Sequence, residues 1–215
     1  MIVLSLHTAG PACELALLRD GEVLYEHRED MVRGQDARLP DLTRSALAQA
    51  GLSLNDVDRF AVITGPGSFT GIRVGVAFAR GLALASKGVA IGVTTLEAAL
   101  PPGQQGSAIV ALPAQKRPPD VTFWTQTFRS GEATGEASEL SLDALRSFLS
   151  SRPHMIYGTP EPLGAHLPDF TVHAATPSAA RAAIVAATYD PELHPARPTY
   201  ARAPDAALPK PKAKT

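Results

Sequence analysis

The segment from Gly65 to Ala85, GPGSFTGIRVGVAFARGLALA, restricts what this chain can fold into more than any other. Gly65, Gly67 and Gly71 surround Pro66 in a tight strand-to-helix connection, and the run from Thr70 to Ser86 has helical period, closed by Lys87 and Gly88. Gly71, Gly75, Ala79 and Ala83 recur at every fourth position, a stripe with almost no side chain along which another backbone can come close. Glycine inside a helix costs up to about 1 kcal/mol relative to alanine, so close packing is the natural compensation at Gly75 and Gly81. The other faces carry Ile72, Val74, Val76, Phe78, Leu82 and Leu84, and Arg73 and Arg80 lie seven apart on one side. A helix this apolar is expected to be covered on more than one side: by its own sheet, and also by the preceding helix, the rest of the chain or another protein.

The flanking residues supply that sheet. Ile2 to Leu6 is a short apolar run suited to a buried strand. Asp20-Gly21, between Leu15, Leu17 and Val23, Tyr25, predicts a hairpin through a type I′ turn. Pro40 to Ala50 places Leu42, Ala46 and Ala50 at helical intervals with Gly51 as C-cap. Arg59 to Thr64 and Val89 to Val93 are further strands, and Thr94 with Glu97 forms a capping box for a short helix. Strand, hairpin, helix, strand, helix, strand, helix implies a mixed sheet with right-handed parallel crossovers, an RNase-H-like α/β arrangement.

Only three of the nineteen prolines, Pro11, Pro40 and Pro66, precede residue 100. The change begins at PPGQQG (101–106), so the expected division is a regular first lobe over 1–103, a reduced second lobe over 104–205 and a disordered tail over 206–215. In the second lobe, Ile109 to Leu112, Val121 to Phe128 and Met155 to Tyr157 read as strands, and Leu142, Leu145 and Leu149 mark a helix. Thr176-Pro177 reads as N-cap and N1 of a helix ending at Thr188.

Chemistry is harder to place. Gly71-Ile72-Arg73 cannot complete a Walker A loop, and Ser68 lacks the glycines of a nucleophile elbow, so it reads as a turn hydroxyl. The glycine-rich turn can cradle an anion on its N–H groups or simply reverse the chain. None of the six histidines has the i, i+4 spacing of a helical zinc site, and Cys13 is the single cysteine. His7 reads as a satisfied strand-end histidine, and Glu14, Asp56 and Asp58 as solvated charges. The formal net charge of −1 argues against a chain that grips nucleic acid by itself, although Lys210, Lys212 and Lys214 can brush phosphates. The apolar start reads as a strand rather than a signal peptide, and no run approaches the ~20 residues of a membrane helix; a cytoplasmic protein is expected.

The Gly65–Ala85 segment and the following IGVTTLEA closely resemble the signature of the TsaB (YeaZ) family, and Pro198-Thr199-Tyr200-Ala201-Arg202 resembles its Pro-x-Tyr-x-Arg element. The resemblance implies an actin-like, two-lobed fold with mixed sheets. It further implies a non-catalytic subunit that supports a TsaD-type threonylcarbamoyltransferase acting on adenosine 37 of tRNA, with a TsaE-type ATPase joining the assembly and tRNA engaged indirectly. No cofactor, metal or catalytic residue is expected. A small-molecule kinase or ATPase of actin-like type is the alternative, a peptidase a third. The departures concern the inter-lobe site: His7 stands where the family has an acidic residue, the stretch from Gly34 before Leu39-Pro40 lacks a histidine, and Pro113-Ala114-Gln115 replaces Asp-Ala-Arg. The partner surface is expected on the two helices of the first lobe, at Leu39, Leu42, Ala46, Arg73, Val74, Phe78 and Arg80, with Gly65, Gly67 and Gly71 as structural turn residues. The same surface would allow a homodimer when the chain is alone.

Overall fold

The computed structural model describes residues 1–31, 33–115, 121–151 and 154–199, so the expected tail and the residues Tyr200 to Arg202 lie outside the described residues. The first sheet has strand order β3-β2-β1-β4-β5, formed by β1 (Ile2–His7), β2 (Ala12–Arg19), β3 (Glu22–Asp30), β4 (Arg59–Ile63) and β5 (Val89–Val93). β1, β2 and β3 run antiparallel in succession, whereas β4 and β5 add in parallel to β1. The hairpin follows its turn chemistry: Asp20 and Gly21 both have positive φ, 50° and 88°.

Helices α1 (Gln35–Gln49) and α2 (Phe69–Leu84) cross over between these strands. α1 begins five residues before the expected Pro40, because Gly34 takes a left-handed φ of 92° and opens the helix there. Pro40 therefore sits inside the helix, on its solvent side, where water can serve the freed Asp36 carbonyl. Gly51, with φ 65°, ends it as expected. The capping box is present: Thr94 N donates to Glu97 Oε2 at 2.7 Å, and Glu97 N to Thr94 Oγ1 at 3.1 Å.

The second sheet repeats the plan of the first, which the sequence did not reveal. Its order is β11-β10-β6-β7-β8, from β6 (Ser107–Gln115), β7 (Thr122–Arg129), β8 (Glu132–Ala133), β10 (Met155–Gly158) and β11 (Val172–Ala174), with β9 (Ser138–Ser141) also pairing with β7. As in the first lobe, a central strand has an antiparallel hairpin on one side and parallel strands on the other. β6 is buried on both faces, so its side chains divide by parity. Ala108, Val110 and Leu112 pack with Leu96, Leu100, Phe128 and Tyr157, while Ile109 and Ala111 pack with Phe123, Leu145 and Ile156. Leu145 and Leu149 come from α3 (Leu142–Ser151), and Leu163 from α4 (Pro160–His166). Pro113, which cannot donate to a ladder, coincides with a register shift between β6 and β7.

The expected helix near the C-terminus is α5 (Ala179–Thr188), and two expectations are corrected there. Its N-cap is Ser178, whose hydroxyl accepts from Arg181 N at 3.1 Å, not Thr176. It also packs on the first sheet rather than the second: Ala179, Ala182, Ala183 and Ala186 are buried in the core with Val3, Leu18 and Phe60. Beyond it the chain stays with the first lobe, through Gly92 N to His194 O at 2.9 Å and Thr199 N to Thr64 O at 2.8 Å. A boundary near residue 103 therefore separates the two sheets but does not confine the later residues to the second lobe.

Candidate partner-binding face and inter-lobe turn

α2 begins where Ser68 caps it, accepting from Gly71 N at 3.2 Å. Its small-residue stripe is consumed inside the lobe. A methyl group on Gly71 would stand 1.9 Å from Thr8 O, and one on Gly75 would stand 2.4 Å from Thr8 Oγ1, so both glycines admit the end of β1. Thr8 Oγ1 in turn donates to Gly71 O at 2.7 Å. The stripe expected to admit another backbone thus faces the chain's own sheet.

The glycine turn is filled in the same way. A methyl on Gly67 would meet Ala9 O at 2.4 Å, and one on Gly65, at φ 114°, would meet Thr199 O at 2.6 Å. Ser68 N donates to Ala9 O at 2.7 Å, Thr95 N to Gly65 O at 2.8 Å, and Thr95 Oγ1 to Pro66 O at 2.6 Å. Carbonyl oxygens, not an open nest of N–H groups, press on these glycines. This favours the structural reading of the turn over the anion reading.

His7, where the resemblance implies an acidic residue, is 3% exposed, and among the described residues its Nδ1 has no hydrogen-bond partner. The expectation of a satisfied histidine is corrected. Burial, and after it the charge of Arg28, lowers its pKa to about 4, so the ring is neutral near pH 7. Glu14 is not a solvated charge either: its buried carboxylate takes Ala179 N at 3.1 Å and pairs with Arg28. Burial pushes its pKa up despite these partners. Asp58 accepts from Ile2 N at 2.6 Å and Asp56 from Ser53 N at 2.8 Å. Among the described residues no group of three His, Cys, Asp or Glu could hold a metal ion, and no helix is long and apolar enough to cross a membrane.

The residues expected at a partner surface separate into two sets. Leu39, Leu42 and Ala46 are buried in the first lobe's core, because α1 turns that face onto the sheet. Leu42 and Ala46 are corrected as contact residues, whereas Leu39, although buried, lines the groove between the two helices. Val74 and Phe78 are half-buried, while Arg73 and Arg80 are exposed. Val74, Ala77, Phe78, Gly81 and Leu82 of α2, with Asp36 and Leu39 of α1, line a groove of about 430 Å³. Outside the groove lining, at the two ends of α2, Phe69 is 50% and Leu84 90% exposed, and the Arg73 guanidinium lies 3.8 Å above the Phe69 ring. Phe69, Leu84 and Gly81 were missed as surface candidates; their spacing of three to four from Arg73, Phe78 and Arg80 was the available signal. Apart from its chain neighbours and its own helix backbone, Gly81 has no described atom within 4 Å of the place its Cβ would occupy, so nothing in the described residues requires a glycine there.

Comparison with known proteins agrees with this architecture. The family described as TsaD, tRNA N6-adenosine threonylcarbamoyltransferase, matches residues 29–114. The chain is 42% identical over 96 residues to the tRNA threonylcarbamoyladenosine biosynthesis protein TsaB of Escherichia coli, a match that covers 45% of this chain and 41% of that one. It is 30% identical over 210 residues to an uncharacterized protein of Mycobacterium tuberculosis, covering 95% and 93% of the two. The structure of YeaZ from Pseudomonas aeruginosa superposes with a TM-score of 0.69 at 26% identity, over 93% of this chain and 99% of that one.

Proposed function

Since the chain belongs to the TsaB (YeaZ) family, we propose that it acts in tRNA threonylcarbamoyladenosine formation as a non-catalytic subunit. Its partner is a TsaD-type threonylcarbamoyltransferase, which it supports through the outward face of α2. A TsaE-type ATPase and tRNA are engaged through that complex. The observation that carries this reading is the groove between α1 and α2, on a helix that also exposes Phe69 and Leu84. An apolar helix face of this kind is costly in water and is a docking surface when covered. Arg73 and Arg80 supply the polar rim. The neutral His7 and the filled glycine turn accord with a subunit that contributes a surface rather than a reaction.

The test is size-exclusion chromatography with light scattering of the chain, alone and mixed with the TsaD-type subunit from the same cell. A mixed complex that is lost on Val74→Asp or Phe78→Asp, with the fold retained, supports the reading. No complex at micromolar concentrations, with or without ATP, overturns it. A homodimer of the isolated chain that the same substitutions dissociate would identify one surface serving both states.

A further inference from the structure

A second cleft, of about 520 Å³, shares no lining residue with the α1–α2 groove. Arg181, Ile184, Val185 and Thr188 line it from one face of α5, at the helical spacing i, i+3, i+4, i+7. The opposite face of the helix is the alanine face on the first sheet. The remaining walls are Glu97, the hairpin residues Gly131 to Ala133, and Tyr189 with His194, whose rings stack at 3.7 Å. From Arg181 to Thr188 the helix wall extends about 10 Å, by the rise of 1.5 Å per residue.

Two opposite charges share this cleft without pairing. Arg181 Nε donates to Leu100 O at 2.7 Å, and among the described residues the guanidinium has no carboxylate within ion-pair distance. Glu97 Oε2 is held by Thr94 N in the capping box. Arg181 is thus tied to backbone, and Glu97 to backbone and to the side chain of Tyr189 in the same cleft. Arg181 is also half-buried, and it sits in the first turn of α5, where the helix dipole disfavours a cation. Leaving a desolvated guanidinium unpaired is expensive, and a ligand of opposite charge relieves it. Glu97 and Glu132 on the other walls select against nucleotides and other multiply charged anions. A ligand with one charge of each sign fits both.

We propose that this cleft binds a free aliphatic α-amino acid, with its carboxylate on Arg181, its ammonium on Glu97 and its side chain against Ile184 and Val185. Calorimetric titration of the full chain with L-valine, isovalerate and isobutylamine tests it. L-Valine should bind with a Kd of about 10 mM or tighter, and the two analogues, each lacking one charge, at least roughly 10-fold more weakly. Arg181→Met should abolish L-valine binding while circular dichroism shows the fold intact. If that variant unfolds, the three-ligand comparison on the unaltered chain carries the test. Failure of L-valine to bind, binding of isovalerate or isobutylamine as tight as L-valine, or full binding by folded Arg181→Met would each overturn the proposal. None of these outcomes bears on the α1–α2 face.

Discussion

The carboxylate of Glu14 on β2 accepts a hydrogen bond from the backbone N–H of Ala179 at 3.1 Å, tying the second strand to the first residue of a helix 165 positions later. At the other end of that helix, Arg59 Nη1 donates to the carbonyls of Ala186 and Tyr189, both at 2.6 Å. An anion at the N-terminus and a cation at the C-terminus complement the helix dipole. The alanine face between them lets α5 lie close on the sheet. This clamp holds the chain's return from the second lobe to the first.

Removing the clamp should show which part of it matters. Glu14→Ala leaves both Ala179 N–H and Arg28 without their buried partner and should destabilise the chain by about 1–3 kcal/mol. Glu14→Gln keeps an acceptor and removes a charge whose burial is unfavourable, so its stability should stay within about 1 kcal/mol of the parent. Urea denaturation of the two variants distinguishes these outcomes, and equal losses would contradict the account.

Arg59→Met preserves the aliphatic stem but strips two carbonyls of their donor. A loss of about 1–3 kcal/mol is expected, accompanied by faster amide exchange in the last turn of α5. Unchanged exchange there would show that the cap is dispensable.

His7 predicts a pH dependence of defined sign. Its pKa in the fold, about 4, lies below the ordinary 6.5. The stabilisation from keeping it neutral is therefore present above pH 6.5 and is lost as pH falls from there through about 4. The full loss is on the order of 3 kcal/mol. Glu14, with its pKa raised, acts in the opposite sense, since its buried charge is relieved as pH falls. Subtracting the stability curve of His7→Gln from that of the parent isolates the histidine. A difference independent of pH between 7 and 4 would refute the assignment.

Two glycines of α2 should respond oppositely to alanine. Gly71→Ala places a methyl group 1.9 Å from Thr8 O and should destabilise the chain by about 3 kcal/mol or more. Gly81→Ala meets nothing and should stabilise the isolated chain by up to about 1 kcal/mol. If the α2 face is the docking surface, the same Gly81→Ala weakens partner binding. Thermal melts combined with a binding titration measure both effects.

Local signals carried much of the first lobe. Asp20-Gly21, the Thr94–Glu97 box, Gly51 and the run Val89 to Val93 were readable because each is decided by neighbours a few residues away. The strands at Val172–Ala174 and Glu132–Ala133, and the short helix at Pro160–His166, passed unnoticed because three or two strand residues, or a helix rich in proline, show no period. Burial was the harder problem. The spacing of Leu39, Leu42 and Ala46 identified a helix face but not what covered it, and the glycine stripe identified a close approach but not by which backbone.

The residues from Gly65 to Ala85 by themselves determined that a glycine turn leads into an apolar helix, and with IGVTTLEA they determined the family, because both lie in contiguous sequence. Tertiary structure decided which side of that helix is spent: β1 brings Thr8 against Gly71 and Gly75, and α1 buries Leu39, leaving Val74, Phe78 and Gly81 facing outward. It decided equally that Glu14 lies buried beneath α5, with Arg59 at the helix's far end, and that Arg181 and Glu97 share one cleft. These partners are 84 to 165 positions apart, beyond the reach of any local pattern, and meet only because the chain crosses back to its first sheet.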